Sequence, residues 1–411
     1  MVYIGTVIYS YLCVILHSIV FDQHAGNDIS LRYNAVLDAG LWRSDHCNIC
    51  VMASIFSINE KTKKRHGLGI VVLYQKLHQV ILPTDFEDEK LSKASDDTSI
   101  IPLEGFDWRT TEPVKIRPFK PKYHLTMGLQ SSNPSELIEM DKTYLTRLAL
   151  RKEVIASHRR TVLQALPASY AAIGELYTYL LKIYLPTRFP TMYSLSPDKS
   201  ALLNKSTSEH LTLSPKSPFE SLQTLGENID TDFLFLVPSS DSDGYILGGF
   251  ICCFPSGFDS EALLGKKIRD IHGPVPGYKE KLEKSMYRSF DRLEVGNVVK
   301  RVNWSITTHD RLFAASGNHL YEGEEAAAEE IDINNTYLRC ERQLVHRLPE
   351  TKALIFSFKT YLTPLTQVKA EGLGEDLATA IDGLKEGSVP AMHFYKRGVV
   401  WGEKVKEYLR S

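Results

Sequence analysis

The chain has 411 residues, 43% hydrophobic and 24% charged, enough apolar matter for a full core, which excludes a disordered protein. Its 48 lysines and arginines nearly balance 50 aspartates and glutamates, so no overall field draws it to a nucleic-acid backbone. Six cysteines without framework spacing exclude a disulfide scaffold and suit a reducing compartment.

The run from Val2 to Phe21 contains no acid, lysine or arginine and has the length of a membrane-spanning helix. It lacks the basic start and small-residue cleavage site of a secretory signal, which leaves an uncleaved anchor or a buried helix or strand. The basic cluster Lys61, Lys63, Lys64 and Arg65 favours a cytosolic main domain. Localisation therefore reads as membrane-associated, or cytoplasmic if the segment is not inserted. Residues 22–103 look like tail and linker, ending in an acidic, serine-rich stretch. Gln75, Lys76 and His78 interrupt the apolar run from Leu68 to Leu82, which favours a packed helix over a second membrane pass. The main domain is expected over residues 104–411.

Helical spacing of apolar residues predicts a helix between Pro134 and Leu166, with Asn133, Pro134 and Ser135 as its start signal. A second helix is predicted from Ala168 to Leu185, stopped by Pro186. Serine, threonine, proline and lysine then dominate from Tyr193 to Leu225, the composition of a lid, a mobile stretch or an insertion. Strand signals follow at Phe233 to Val237, Tyr245 to Phe254, Val298 to Ile306, Thr336 to Val345 and Ala353 to Leu362. Helical patterns interrupt or follow them at Asp259 to Ile271, Tyr278 to Leu293 and Glu371 to Leu384. Because strands and helices do not strictly alternate, the fold class reads as α+β with a largely antiparallel sheet. No internal repeat is visible.

No glycine-rich fingerprint for nicotinamide or flavin and no phosphate-binding P-loop is present. Cys47 and Cys50, preceded by His46, lack the second pair that a zinc site needs. Cys252 and Cys253 lie in an apolar run and read as core. Cysteine spacing does not support an iron-sulfur cluster.

Four segments carry a resemblance, in this order: RPFKPKYHLTMGL from Arg117 to Leu129, IHGPVPGY from Ile271 to Tyr278, RVNWSI from Arg301 to Ile306, and LRCERQLVHRLP from Leu338 to Pro349. Together they resemble the haem-dependent oxidative N-demethylase subunits and their fungal relatives, over about residues 108–365. The resemblance implies haem b, with its iron, held by a PAS-like antiparallel sheet with surrounding helices. It also implies removal of a methyl group from a small methylated amine with dioxygen, releasing formaldehyde. Electrons would come from a separate reductase, consistent with the missing dinucleotide fingerprint.

Iron in haem that activates dioxygen needs one protein ligand and an open face. His272 is the first candidate, since Pro274 and Pro276 stiffen the turn that follows it; the bland reading is a histidine capping its helix. His124 is the second, or else a strand histidine bonded to backbone. His346 reads as exposed near a strand end, His309 and His158 lie in polar company, and a Cys340 thiolate is a further option. Arg117, Lys120 and Lys122 suit haem propionates, or form a solvated strip. Period-two alternation puts Arg339 and Glu341 on one polar face, where Glu341 would balance a protonated amine and Arg339 orient it, unless they are ordinary surface pairs. Trp304 and Tyr361 suit a cavity wall or the core. Two rivals to the enzyme stand beside it: a haem or ligand sensor without turnover, and a membrane-tethered interaction module.

Overall fold

Residues rich in β-branched and aromatic side chains build an antiparallel sheet at the centre of the computed structural model, which describes residues 99–411. The run from Val2 to Phe21, the linker before residue 99 and the Cys47 and Cys50 pair lie outside the described residues. Among the described residues, no helix is long and apolar enough to cross a membrane.

The strands, in chain order, are β1 (Gln130–Ser132), β2 (Leu163–Ala165), β3 (Tyr193–Leu195), β4 (Ala201–Asn204) and β5 (Glu209–Thr212). They continue as β6 (Asp232–Pro238), β7 (Tyr245–Ile251), β8 (Val298–Thr307), β9 (Tyr337–Arg347) and β10 (Leu354–Pro364). Seven form the main sheet in the order β1-β8-β9-β10-β6-β7-β2, every neighbour antiparallel. The five predicted strands are its centre. Its two edges, β1 and β2, have three residues each, too short for any periodicity to reveal.

The stretch predicted as irregular is ordered. β3, β4 and β5 make a three-stranded meander, and α3 (Pro218–Asn228) follows, after α1 (Tyr144–Val162) and α2 (Tyr170–Thr178). Its polar residues serve turns and caps: Asp198 accepts from the Ser196 and Ser200 hydroxyls, and Ser217 Oγ accepts from the Glu220 N–H at 3.1 Å. The Asn133 signal caps only a short 3-10 turn, Pro134–Glu136, and α1 starts later, at Tyr144. Pro186 does not stop its helix either. A π-turn over Tyr179–Tyr184 widens the coil and helical structure runs on through Leu185–Arg188, with the proline in a first-turn position where its missing N–H is tolerated.

Alternation along the strands separates two faces of the sheet. One face, carrying Val298, Leu344 and Ile355, packs with α1, α2 and α3 in the largest apolar cluster. Farther along it, Trp304, Ile306, Leu338, Cys340 and Tyr361 pack with α5 (Gly374–Glu386) and α6 (Gly398–Arg410), the helix between them in chain order and α4 being Met392–Tyr395 and Glu283–Arg292 respectively. The opposite face, with Leu236, Val345, Leu354 and Phe358, packs on Leu125, Ile268, Tyr278, Phe290 and Met392. That second face carries the candidate site.

Candidate functional site

Register brings the polar residues of the second face together. Arg301 on β8 lies opposite Gln343 on β9, and Asn303 lies opposite Glu341, so all four share one face. Glu341 is only 7% exposed. Its carboxylate accepts from Gln343 Nε2 at 2.9 Å and from Asn303 Nδ2 at 3.5 Å, and forms no ion pair.

Lys396 reaches the same place from the C-terminal helices, just after Met392–Tyr395. Its Nζ donates to Asn303 Oδ1 at 3.2 Å and to the Trp304 carbonyl, and lies 5.3 Å from the ring centroids of both Tyr123 and Trp304. Burial pushes this lysine down to about 8, the Arg301 charge adds to that, and the Glu341 and Cys340 side chains oppose it. The segment before β1 supplies Tyr123. It is pinned by bonds from the Tyr123 N–H to the Gly383 carbonyl at 3.0 Å and from the Ser388 N–H to the Tyr123 carbonyl at 2.9 Å. Only glycine fits at 387, because a Cβ there would collide with the Tyr123 carbonyl oxygen. Tyr395, stacked on His319 with centroids 4.4 Å apart, adds a further aromatic wall. Burial lifts the Tyr395 hydroxyl well above its ordinary value, with Tyr321, Glu341 and Tyr123 contributing in the same direction.

His272 ends the short helix Ile268–His272 and is partly buried. Its ring folds back so that Nδ1 lies 2.9 Å from the Ile268 carbonyl, and stacks on Tyr278 with centroids 5.2 Å apart. A carbonyl can only accept, so Nδ1 carries the proton and Nε2 presents a lone pair, which has no hydrogen-bond partner. Burial lowers the pKa, the Ile268 bond opposes this, and Arg301 lowers it further, so the ring is neutral at pH 7. This is how ligand histidines are commonly held, by a carbonyl that fixes both tautomer and ring plane. The Nδ1 bond to the Ile268 carbonyl ties the ring to its own helix, close to the capping reading.

Other sequence candidates sit elsewhere. Arg339 shares the face of Glu341, but it is 1% exposed and donates to the carbonyls of Phe254, Pro255, Arg311 and Leu312 at 2.9 to 3.2 Å. It ties two loops to the sheet. Arg117 is ion-paired with Glu371 at 2.8 Å, next to Ile116 of the Trp304 and Cys340 cluster. Lys120, Lys122 and His124 are exposed, because alternation in this segment turns Tyr123 and Leu125 inward and their neighbours outward. The Cys340 thiol, buried on the other face, points to the Ile116 carbonyl at 3.7 Å, and burial pushes it up to about 12, far from a thiolate. Trp304 and Tyr361 are core residues of that other face. His346 is buried and not exposed as its place in the sequence suggests, and neither ring nitrogen has a partner. His309 bonds Asn318 in a turn, and His158 stacks on Phe313.

Arg301, Asn303, Tyr123 and Lys396 were not among the sequence candidates. The first two stand in the quoted RVNWSI segment, where alternation puts them on one face; the pairing of β8 with β9 is what sets them beside Glu341. Nothing local marks Lys396. Among the described residues no three His, Cys, Asp or Glu side chains converge as a metal site.

The model of the family described as haem-dependent oxidative N-demethylase, alpha subunit-like, matches residues 128–406, more than half of the chain. The chain belongs to this family. Its description names haem dependence and an oxidative reaction, and the matched span holds His272, Arg301, Asn303, Glu341 and Lys396. Arg117, Lys120, Lys122, Tyr123 and His124 precede that span.

Proposed function

We propose that this family member holds haem b on the second sheet face and removes a methyl group from a small secondary amine. The supporting observation is the His272 imidazole, neutral, oriented by the Ile268 carbonyl and stacked on Tyr278, with Nε2 free to ligate iron. The cofactor would be non-covalent, since Cys47-Asn48-Ile49-Cys50 is followed by Val51 and not by the histidine of a covalent attachment motif. When bound, haem supplies dioxygen activation and the oxidation itself.

Everything else falls to this chain's side chains. Glu341, held by two amide donors and without a cation of its own, offers a buried negative charge to the protonated amine. Asn303 joins that carboxylate to Lys396, so the amine's charge and the lysine's are read by one bonded string. Tyr123, beside Lys396, and Tyr395, near Glu341, would offer ring surface to the amine. The N-methyl amine, dioxygen, two electrons and two protons give the demethylated amine, formaldehyde and water. A separate reductase is the proposed electron source, consistent with the missing dinucleotide fingerprint and the subunit-like description of the family.

Titration with hemin tests this. The wild-type chain is expected to develop a Soret band at one equivalent, and His272→Ala to lose at least tenfold in hemin affinity and to show altered iron coordination. Colourless wild-type protein, or a His272→Ala spectrum identical to wild type, would overturn the ligand assignment.

A further inference from the structure

Arg301 stands apart from the other arginines. Among the described residues, every other arginine that is not exposed donates at least one hydrogen bond, as Arg147 does to Asp230, Arg342 to the Glu136 carbonyl and Arg347 to the Leu293 carbonyl. Arg301 is partly buried and makes no hydrogen bond and no ion pair. Five guanidinium donors without acceptors are costly to hold away from bulk water, and they do nothing for the fold. Its neighbours make the case sharper. Glu341 is one strand away on the same face and electrically felt by Arg301, yet the two do not pair. Lys396 adds a second positive charge close by, so Arg301 and Lys396 together outnumber the single carboxylate of Glu341. A single small anion would balance it.

We propose that Arg301 is a carboxylate receptor of the site: its guanidinium fork takes an acid group of a bound molecule through two parallel N–H bonds, beside His272 and diagonally across from Glu341. Two sources share this chemistry, a haem propionate and the carboxylate of an amino-acid-like N-methyl substrate whose amine meets Glu341. The first source rests on the haem reading above; the second does not.

The test compares Arg301→Gln and Arg301→Lys with the wild-type full chain. Hemin and hemin dimethyl ester, which lacks free acids, are titrated by absorbance. N-methylglycine and N-methylethylamine, which differ in the acid group, are compared by their effect on Tm of haem-free protein. Loss of tenfold or more in hemin affinity in Arg301→Gln, with the ester unaffected by the substitution, supports the receptor and identifies a propionate. A rise in Tm with N-methylglycine that Arg301→Gln abolishes, while the response to N-methylethylamine is the same in both proteins, supports it and identifies a substrate acid. Arg301→Lys, which keeps the charge but not the fork, falls between in either case. Because the side chain bonds nothing, both variants are expected to fold with an unchanged or higher Tm in the absence of ligand. Equal losses for hemin and its ester, or no change in any arm, overturns the proposal. Wild-type protein that refuses hemin defeats the haem reading instead, and the receptor then stands or falls on the N-methylglycine arm.

Discussion

On the helix-covered face of β8, β9 and β10 each charged side chain is ion-paired: Lys300 with Glu136 at 2.6 Å, Arg342 with Glu136 and Glu139 at 3.4 Å, and Lys359 with Asp141 at 2.7 Å and Asp230 at 3.3 Å. On the other face of the same strands, Arg301, Arg339, Glu341 and Arg347 form no ion pair at all. Two of these, Arg339 and Arg347, bond backbone carbonyls and so brace the structure. The remaining two, Arg301 and Glu341, meet only amides or nothing. One face has its charges neutralised internally; the other keeps two of opposite sign available to a ligand. Folding alone gives no reason to maintain the second arrangement, since burying incompletely matched charge destabilises the native state.

The largest effect should come from breaking the paired face. Asp230→Ala removes the carboxylate that both Arg147 and Lys359 approach, and is expected to cost about 3–5 kcal/mol in urea denaturation by leaving Arg147 without its ion pair and Lys359, 3% exposed, with Asp141 alone. A loss below about 1 kcal/mol would erase the distinction drawn between the faces.

His346 is next, the neutral exception on the paired face. Burial alone lowers its pKa from 6.5 to about 4, so protonation favours the unfolded chain. Its neutral form is fully accommodated above pH 6.5, and stability is lost as the pH falls from there toward 4, by roughly 3 kcal/mol for a shift of this size. His319 and His393 are lowered to about 4 as well, by burial first and by nearby lysines, and share the same window. His346→Phe should flatten that part of the stability profile without altering hemin affinity; an unchanged slope would show that the ring finds a partner after all.

The smallest effect sharpens the second face. Glu341→Gln keeps shape and hydrogen-bonding capacity but removes the charge, and should raise KM for a protonated amine about tenfold, on the order of 1.4 kcal/mol, with kcat and hemin affinity little changed. Equal loss for a neutral substrate analogue would assign Glu341 a structural task.

Much of this architecture was legible beforehand. The five central strands announce themselves because apolar and β-branched residues persist over seven or more positions. Glu341 could be assigned to a polar face for the same reason. The limit of such a reading appears in Arg339: alternation gives the face of a side chain, not what lies across from it, and the carbonyls it binds come from residues 27 to 85 positions away. Arg117 and His124 show the same limit, one ion-paired with Glu371 from far along the chain and one exposed beside the inward Tyr123. Between Tyr193 and Leu225, short strands joined by turns rich in serine and threonine imitate a loop. Lys396 belongs to the site only through tertiary packing, which no local pattern encodes.

The tie between Tyr123 and the turn at Gly387 has a consequence for biogenesis. Since the helices that deliver Lys396 also clamp the segment bearing Tyr123, the cluster closes only after every strand has left the ribosome and those helices have docked. Nascent chains stalled before that point contain Arg301 and Glu341 but neither Lys396 nor the turn that pins Tyr123, so the polar cluster is completed late, following synthesis of the strands rather than guiding it.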